Sequence, residues 1–293
     1  MKKTLLLTFT AFILMAMSAD HPAYLLFNKK GKQVKYSKMI AELQEADVIL
    51  FGELHNNSLC HWLELEVAKS LLGTPDKQLV IGAEMFEADN QLLLDEYLSG
   101  TIKTNNFEAE AKLWQNYGTD YKPLVEFCKT NGLKFVGANV PRRYASMVSK
   151  KGLASLDSLS DEAKKYIAPL PLEIDLELPG YKNMIAMMGG HGTGFSANNI
   201  AYAQGVKDAT MAHFILKNLK KNTILLHYNG SYHSNNFDGI YWHLKNANPD
   251  LKIKTITTVE IEDILSPSED DLKSADYIFC IPENMTKTYT SKF

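Results

Sequence analysis

Short apolar runs recur along the chain, and most are followed by a segment with helical spacing. Val48-Ile49-Leu50-Phe51, Leu79-Val80-Ile81, Phe135-Val136 and Ile224-Leu225-Leu226 are bounded by glycine or polar residues and suit strands buried on both faces of a parallel sheet. Between them, Ser37 to Ala46 reads as a helix. A second helix runs to Leu72 with Leu59, Trp62, Leu63, Val67 and Leu71 on its apolar stripe and Asn57 or Ser58 as its cap. Gly73-Thr74-Pro75-Asp76 is a turn. Helices follow over 89–98, 107–114 and 122–130, the last with Pro123 in its first turn and Asn131-Gly132 at its end. Asn139 is placed to cap a helix that opens with Pro141. Further on, 199–219 and 238–245 read as helices, and strands lie near 253–259 and 276–281. Ala23–Phe27 and Val34–Tyr36 flank the turn Asn28–Gly31 and suggest a hairpin.

This alternation predicts an α/β fold, a mainly parallel sheet flanked by helices. Residues 151–198 break the rhythm: Pro169, Pro171 and Pro179 punctuate a stretch of patchy apolar content. We read it as a helical insertion acting as a lid on a single domain spanning 20–293. No internal repeat or low-complexity tract is present.

The first residues change the picture. Lys2-Lys3 precede an apolar run from Leu5 to Met17 that closes on Ala16-Met17-Ser18-Ala19, the layout of a secretory signal peptide over 1–19. Export to the periplasm or cell envelope is expected. No cysteine follows the run, so a lipid anchor on Cys is not supported. Cys60, Cys128 and Cys280 lie in apolar surroundings and read as buried thiols, with no Cys-x-x-Cys pair among them. A net charge of −3 with scattered basic residues argues against nucleic acid as a partner. Gly192-Thr193-Gly194-Phe195-Ser196-Ala197 fits a dinucleotide fingerprint, but no strand precedes it, and a hinge with a helix cap suits it better.

The chemistry candidates sit where strands end. Glu53 and His55, two apart in extended chain, project to one side. Glu84 ends the second core strand, Asn139 the third, and His233 follows the fourth. Taken singly, each is a turn residue, a cap or, for Glu84, a partner of Arg142 or Arg143. Taken together along one edge of a parallel sheet, where such sheets bind ligands, Glu53, His55, Glu84 and His233 are the residue types that hold a divalent metal. Such an ion activates a bound water or polarises a carbonyl.

These residues also carry a resemblance. Gly52-Glu53-Leu54-His55-Asn56-Asn57, Gly82-Ala83-Glu84-Met85-Phe86, Trp114 with Tyr117, Tyr121 and Pro123, and Asn139-Val140-Pro141-Arg142 are similar to blocks of the ChaN-like haem-binding family. So are Ala203-Gln204, Asp208, Met211-Ala212 and Gly230-Ser231-Tyr232-His233. The blocks run in family order over about residues 45–245. The wider group includes Tiki-type metalloproteases and erythromycin esterases. The resemblance implies an exported haem-binding protein of haem-iron uptake or handling, a homodimer stacking two haems, and outer-membrane uptake machinery as a partner. The lipid-attachment cysteine common in the family is missing here.

Haem iron takes His, Tyr, Met or Cys, and the stretch Tyr181 to His191 supplies several of these on a glycine-flexed segment. Its methionines read first as core. His191, between glycines, ranks first as axial ligand, ahead of Tyr181 and Tyr202, while Arg142 or Arg143 suits the propionates. Tyr117 and Tyr121 also suit packing. The alternative function is a metal-dependent hydrolase, a peptidase or esterase, built on Glu53, His55, Glu84 and His233. A partner-binding scaffold with a vestigial edge is the third.

Overall fold

The computed structural model describes residues 22–189 and 196–290. The elements are, in order, β1 (Leu25–Asn28), α1 (Tyr36–Leu43), β2 (Val48–Glu53), α2 (Ser58–Leu71), β3 (Gln78–Glu87), α3 (Gln91–Leu98), α4 (Thr104–Glu110), α5 (Lys122–Thr130) and β4 (Lys134–Asn139). After these come α6 (Arg142–Lys151), α7 (Asp161–Lys164), α8 (Pro179–Gly189), α9 (Ala197–Asn218), β5 (Thr223–Gly230), α10 (Ile240–Ala247), β6 (Ile253–Ile261), α11 (Glu269–Lys273) and β7 (Tyr277–Pro282). Among the described residues no helix is long and apolar enough to cross a membrane. The expected signal peptide lies outside the described residues.

The seven strands form one sheet in the order β1-β7-β6-β2-β5-β3-β4. Every neighbouring pair is parallel except β1 with β7. β2 sits centrally between β5 and β6, and the chain builds outward from it in both directions. That makes the carboxyl end of β2 the topological switch point, where open α/β sheets bind ligands.

Period-two alternation divides the core into two layers. Ile49 and Phe51 of β2 pack with Ile81, Phe135, Leu226 and Tyr228 under α1, α2, α3 and α5. Val48 and Leu50 pack with Val80, Val136 and Leu225 under α9 and α10, through Met211, Phe214, Ile215, Ile240 and Leu244. The insertion contributes Leu156 and Ile167 to a third cluster with Tyr144 and Val148 of α6 and Val206 of α9. It therefore rests on helices α6 and α9, and the start of α8 reaches the sheet rim.

Several local expectations give way. The hairpin at the amino end does not form: β1 pairs antiparallel with β7, and only Phe27 and Gln33 bridge across the turn. An edge strand of four residues finds its hydrogen bonds on the distant β7, a choice no local pattern encodes. β3 runs beyond Glu84 to Glu87, with an irregularity in its pairing to β4 after Ala83. The helix expected over 107–114 ends at Glu110, and Tyr117–Tyr121 forms an unforeseen π-helical turn, a feature frequent at functional sites. Asn139 does not cap α6. Asn57 does cap α2, accepting from Leu59 N and Cys60 N, both at 3.0 Å. On α2 the buried face is Cys60, His61, Leu63, Glu64, Val67 and Leu71, whereas Trp62 is 48% exposed. All three cysteines are free and buried.

Gly52 stands where β2 meets the turn after β5. A Cβ there would lie 2.9 Å from Ser231 Cα and 3.3 Å from the Ile256 carbonyl oxygen, both backbone atoms that cannot rotate away. Gly52→Ala is expected to cost about 1–3 kcal/mol in denaturant unfolding, the range for overpacking a filled core. Gly118→Ala, with open space around it, is expected to leave the denaturation midpoint unchanged.

Candidate functional site at the carboxyl edge of the sheet

β2 and β5 end side by side, with Glu53 in register with Gly230. Alternation then decides where each acid points. Glu53 is in phase with Ile49 and Phe51 and faces the α2 layer. Glu84 is in phase with Val80 and faces the α9 layer. The rim therefore carries two charged half-sites on opposite faces of the sheet.

On the α9 side, Glu84 is buried and both its oxygens are engaged. Gly230 N–H donates to Oε2 at 2.8 Å and His233 Nε2 lies 3.1 Å from Oε1. The Nδ1 of the same imidazole meets Asp208 Oδ1, and Tyr181 OH donates to Asp208 Oδ2 at 2.6 Å. Gln204 Nε2 sits 3.0 Å from His233 Nε2 and 3.1 Å from Nδ1. Burial opposes a charge on His233, but Glu84 and Asp208 outweigh it and lift its pKa to about 9. Burial would likewise raise Glu84, yet His233 and then His55 hold it far below the usual carboxylate range.

On the α2 side, Glu53 Oε1 takes Tyr121 OH at 2.8 Å and the Nδ1 of His55 at 2.5 Å. Burial lifts the Glu53 pKa to about 7, with the nearby Glu64 adding to the rise and His55 opposing it. Behind Glu53 lie His61 and Glu64 of α2, and Asp120 of the π-helical turn, all buried. Asn116 ties this turn to the rim, donating to the His55 carbonyl at 2.8 Å and to Asp120 Oδ2 at 2.6 Å.

His55 joins the two halves. Its side chain is 36% exposed and packs against Trp114 with ring centroids 4.8 Å apart and the rings tilted by 58°. A Cβ on Gly230 would lie 2.8 Å from His55 Nε2 and 3.5 Å from Glu84 Oε2. Glycine is thus what lets the imidazole press against the end of β5 and feel the Glu84 charge. Burial works against protonation of His55, but the hydrogen bond to Glu53 and the charges of Glu53 and Glu84 raise its pKa.

The four strand-end residues are brought to one rim, but not around one ion. Among the described residues, the group of three acid and imidazole donors all within 4.8 Å of one another is Glu53, His61 and Glu64. Glu84 and His233 already have their polar atoms engaged, by each other and by Gly230 N–H and Asp208. His61 and Glu64 escape sequence reasoning because α2 reads as an apolar stripe. Their i, i+3 spacing six residues after His55 is the pattern that marks them. His227, buried in β5 with burial lowering its pKa to about 4, is hidden inside an apolar strand. Tyr181 is buried against Asp208, Tyr202 is half-buried in the helical cluster, and Arg142 is exposed at the start of α6. Arg143 is held by Asp89 at 2.5 Å. His191 lies outside the described residues.

A family model described as haem-binding uptake, Tiki superfamily, ChaN matches residues 39–244, which include both half-sites. The chain belongs to this family. Among solved structures, ChaN of Campylobacter jejuni, described with cofacial heme binding, is 22% identical at a TM-score of 0.64, over 87% of this chain and 96% of that one. An erythromycin esterase, a mutant of EreC in its open conformation, is 12% identical at a TM-score of 0.51, over 88% of this chain and 97% of that one. Both show that the fold is shared. The chloroplastic protein RETICULATA-RELATED 5 of Arabidopsis thaliana is 27% identical over 111 residues, 36% of this chain. The match spans 15% of that relative's length. Within the ChaN family match lie all of Glu53, His55, Glu84, Asp208 and His233, so the polar rim is part of the matched core.

The rim has a pH signature. His233 has a folded pKa of about 9 against an ordinary 6.5, so its stabilisation is complete below 6.5 and is lost as pH rises through about 9. Glu84 is depressed from an ordinary 4.5, so its stabilisation is complete above 4.5 and is lost as pH falls through the lowered value. The two contributions are both complete between pH 4.5 and 6.5. Glu84→Gln is expected to cost about 3 kcal/mol at pH 6, as for a broken buried ion pair, and to flatten the alkaline decline in urea unfolding. An unchanged alkaline limb in the variant would exclude this pair as its source.

Proposed function

We propose that this chain binds haem and acts in haem-iron uptake or handling after export to the cell envelope. The match to the haem-binding family over residues 39–244 carries this reading. Its physical counterpart is the outer face of α8, which projects beside the rim. Met187 is 74% exposed there, Ala186 is exposed, and Met184, Ile185 and Met188 are half-buried. Tyr232, 43% exposed, donates its hydroxyl to the Gly180 carbonyl at the start of the same helix. A methionine-rich apolar surface fits a flat macrocycle, and thioether, phenol and imidazole are all axial ligands for haem iron. The buried cysteines are out of reach.

His191, two residues beyond the last residue of α8, is the axial ligand this reading names first. The Tyr181 phenol is committed to Asp208, and Tyr202 stands behind as an alternative. The exposed guanidinium of Arg142 is the proposed partner of a propionate. When bound, haem supplies iron as cargo, and the protein's part is to bind and shield it. The Campylobacter protein's cofacial heme binding supports two haems stacked between two copies of this chain, with uptake machinery of the outer membrane as the further partner.

A second reading is favoured by one observation. His55, half-exposed, is held by Glu53 and faces Glu84 across Gly230, an acid–imidazole arrangement suited to proton transfer in hydrolysis of a peptide or ester.

Hemin titration is expected to give a Soret band that saturates, and His191→Ala to abolish or shift it. Absence of a band in the wild-type chain would overturn the haem reading. Light scattering with and without hemin is expected to show haem-dependent dimers; a monomer at saturation would refute the stacked arrangement. For the second reading, metal-supplemented ester or peptide cleavage should be lost in His55→Ala, and no cleavage by wild type would reject it.

A further inference from the structure

The cluster behind Glu53 serves neither haem binding nor the ion pair at Glu84. The side chains of Glu53, His61 and Glu64 are 0%, 4% and 2% exposed. One ligating atom from each lies within 4.8 Å of the others. Glu53 Oε2 and Glu64 Oε1 are buried without any hydrogen-bond partner. Glu53 Oε2 is aimed at His61 Nδ1 from 3.8 Å, and Glu64 Oε2 approaches the same nitrogen at 2.9 Å.

The far side of the imidazole fixes its tautomer. His61 Nε2 faces the His55 carbonyl oxygen at 3.2 Å and Asp120 Oδ2 at 3.5 Å. Both are acceptors, so Nε2 carries the proton of a neutral ring and Nδ1 turns a lone pair toward two carboxylates. Three acceptors converging in a dry site repel one another unless a cation, or a proton shared between the two acids, lies among them. A doubly protonated His61 would satisfy one oxygen of Glu64 and leave Glu53 Oε2 and Glu64 Oε1 without donors. Among the described residues no lysine or arginine forms an ion pair with Glu53, Glu64 or Asp120.

We propose that Glu53, His61 and Glu64 form a binding site for a divalent first-row transition ion. One imidazole nitrogen and two carboxylates are a donor set for such ions. The remaining ring N–H, donated to a backbone carbonyl, is how metal-bound histidines are commonly oriented. Asn116 and Thr288 fix Asp120 beside that N–H, each at 2.6 Å. The contrast with the other half of the rim is decisive. There every oxygen of Glu84 and both nitrogens of His233 have partners. The unsatisfied atoms are on the α2 side, so the ion belongs there rather than among Glu53, His55, Glu84 and His233 together.

The test is equilibrium dialysis of the full-length chain against Co2+ and, separately, Zn2+, read by elemental analysis and by Co2+ d–d absorption. Wild type is expected to retain about one ion per chain with an absorption spectrum of protein-bound Co2+. Glu64→Gln is expected to weaken retention by about tenfold or more, and Glu66→Gln, a partly exposed acid of the same helix paired with Lys69, to keep it. No retention by wild type, undiminished retention in Glu64→Gln, or loss in Glu66→Gln would each overturn the assignment. Should Glu64→Gln fail to fold, wild type decides alone: its melting temperature is expected to rise with Zn2+ and fall with chelator. A melting curve indifferent to both refutes the site. A hemin titration on the same preparation separates this outcome from the haem reading, since the two sites share no residue.

Discussion

A carboxylate at the end of the central strand, buried on all sides, constrains everything around it. Glu53 closes β2 at the switch point of the sheet with 1% of its surface exposed. A charge in that position has lost its hydration and must recover the loss from neighbours fixed in place. The chain supplies them from separated segments: Tyr121 from a π-helical turn, His55 from the strand end, His61 from α2. These segments are held at set distances from the sheet because a carboxylate left unmatched would destabilise the fold by several kcal/mol. The irregular geometry of residues 117–121 is a direct consequence. The wide turn brings both Asp120 and Tyr121 inward.

The same demand met on the other face has a different solution. Glu84 is compensated within the described structure by a protonated imidazole and a backbone N–H, with a second acid, Asp208, beyond. That chain continues through Tyr181 into α8, and Gly180 N–H donates to Asp238 Oδ2 at 2.9 Å. The helix bearing the exposed methionines is therefore docked to the rim by polar bonds as well as by the buried ring of Tyr181. Through Asp208 it is joined to the same imidazole that pairs with Glu84.

Much of this was legible in order along the chain. The apolar runs at 48–51, 79–81, 135–136 and 224–226 are buried strands because residues with helices on both faces have no polar side to show. Helix boundaries at Asn57 and Pro123 followed from capping chemistry. The strand-end acids and imidazoles were visible because topology, not contact, puts strand ends on one edge. Hidden were features that depend on distant partners. β1 reads as half of a hairpin until β7 is known to be its partner. Trp62 reads as core until Cys60, His61 and Glu64 are seen to take the buried face of α2. The hydrophobic pattern weights residues by type, so a helix that buries a histidine and a glutamate with its leucines is read with its face rotated.

The polar residues on that buried face make the two half-sites differ in kind. On the α9 side the acid, the imidazole and the second acid alternate, so each negative group has a positive neighbour and no further ion is needed. On the α2 side three acids surround the single buried imidazole of His61, whose ring also faces a backbone carbonyl. Protein dipoles there cannot cancel the excess, because Tyr121 and His55 both act on Glu53 Oε1 and leave Oε2 bare. Orientation, not the count of charges, decides the matter. Were Glu53 Oε2 and Glu64 Oε1 bonded as the oxygens of Glu84 are, the cluster would be complete with protons alone. Because they are not, the inner half-site is built as a receptor for positive charge, while the outer one is a closed brace holding α8 to the sheet.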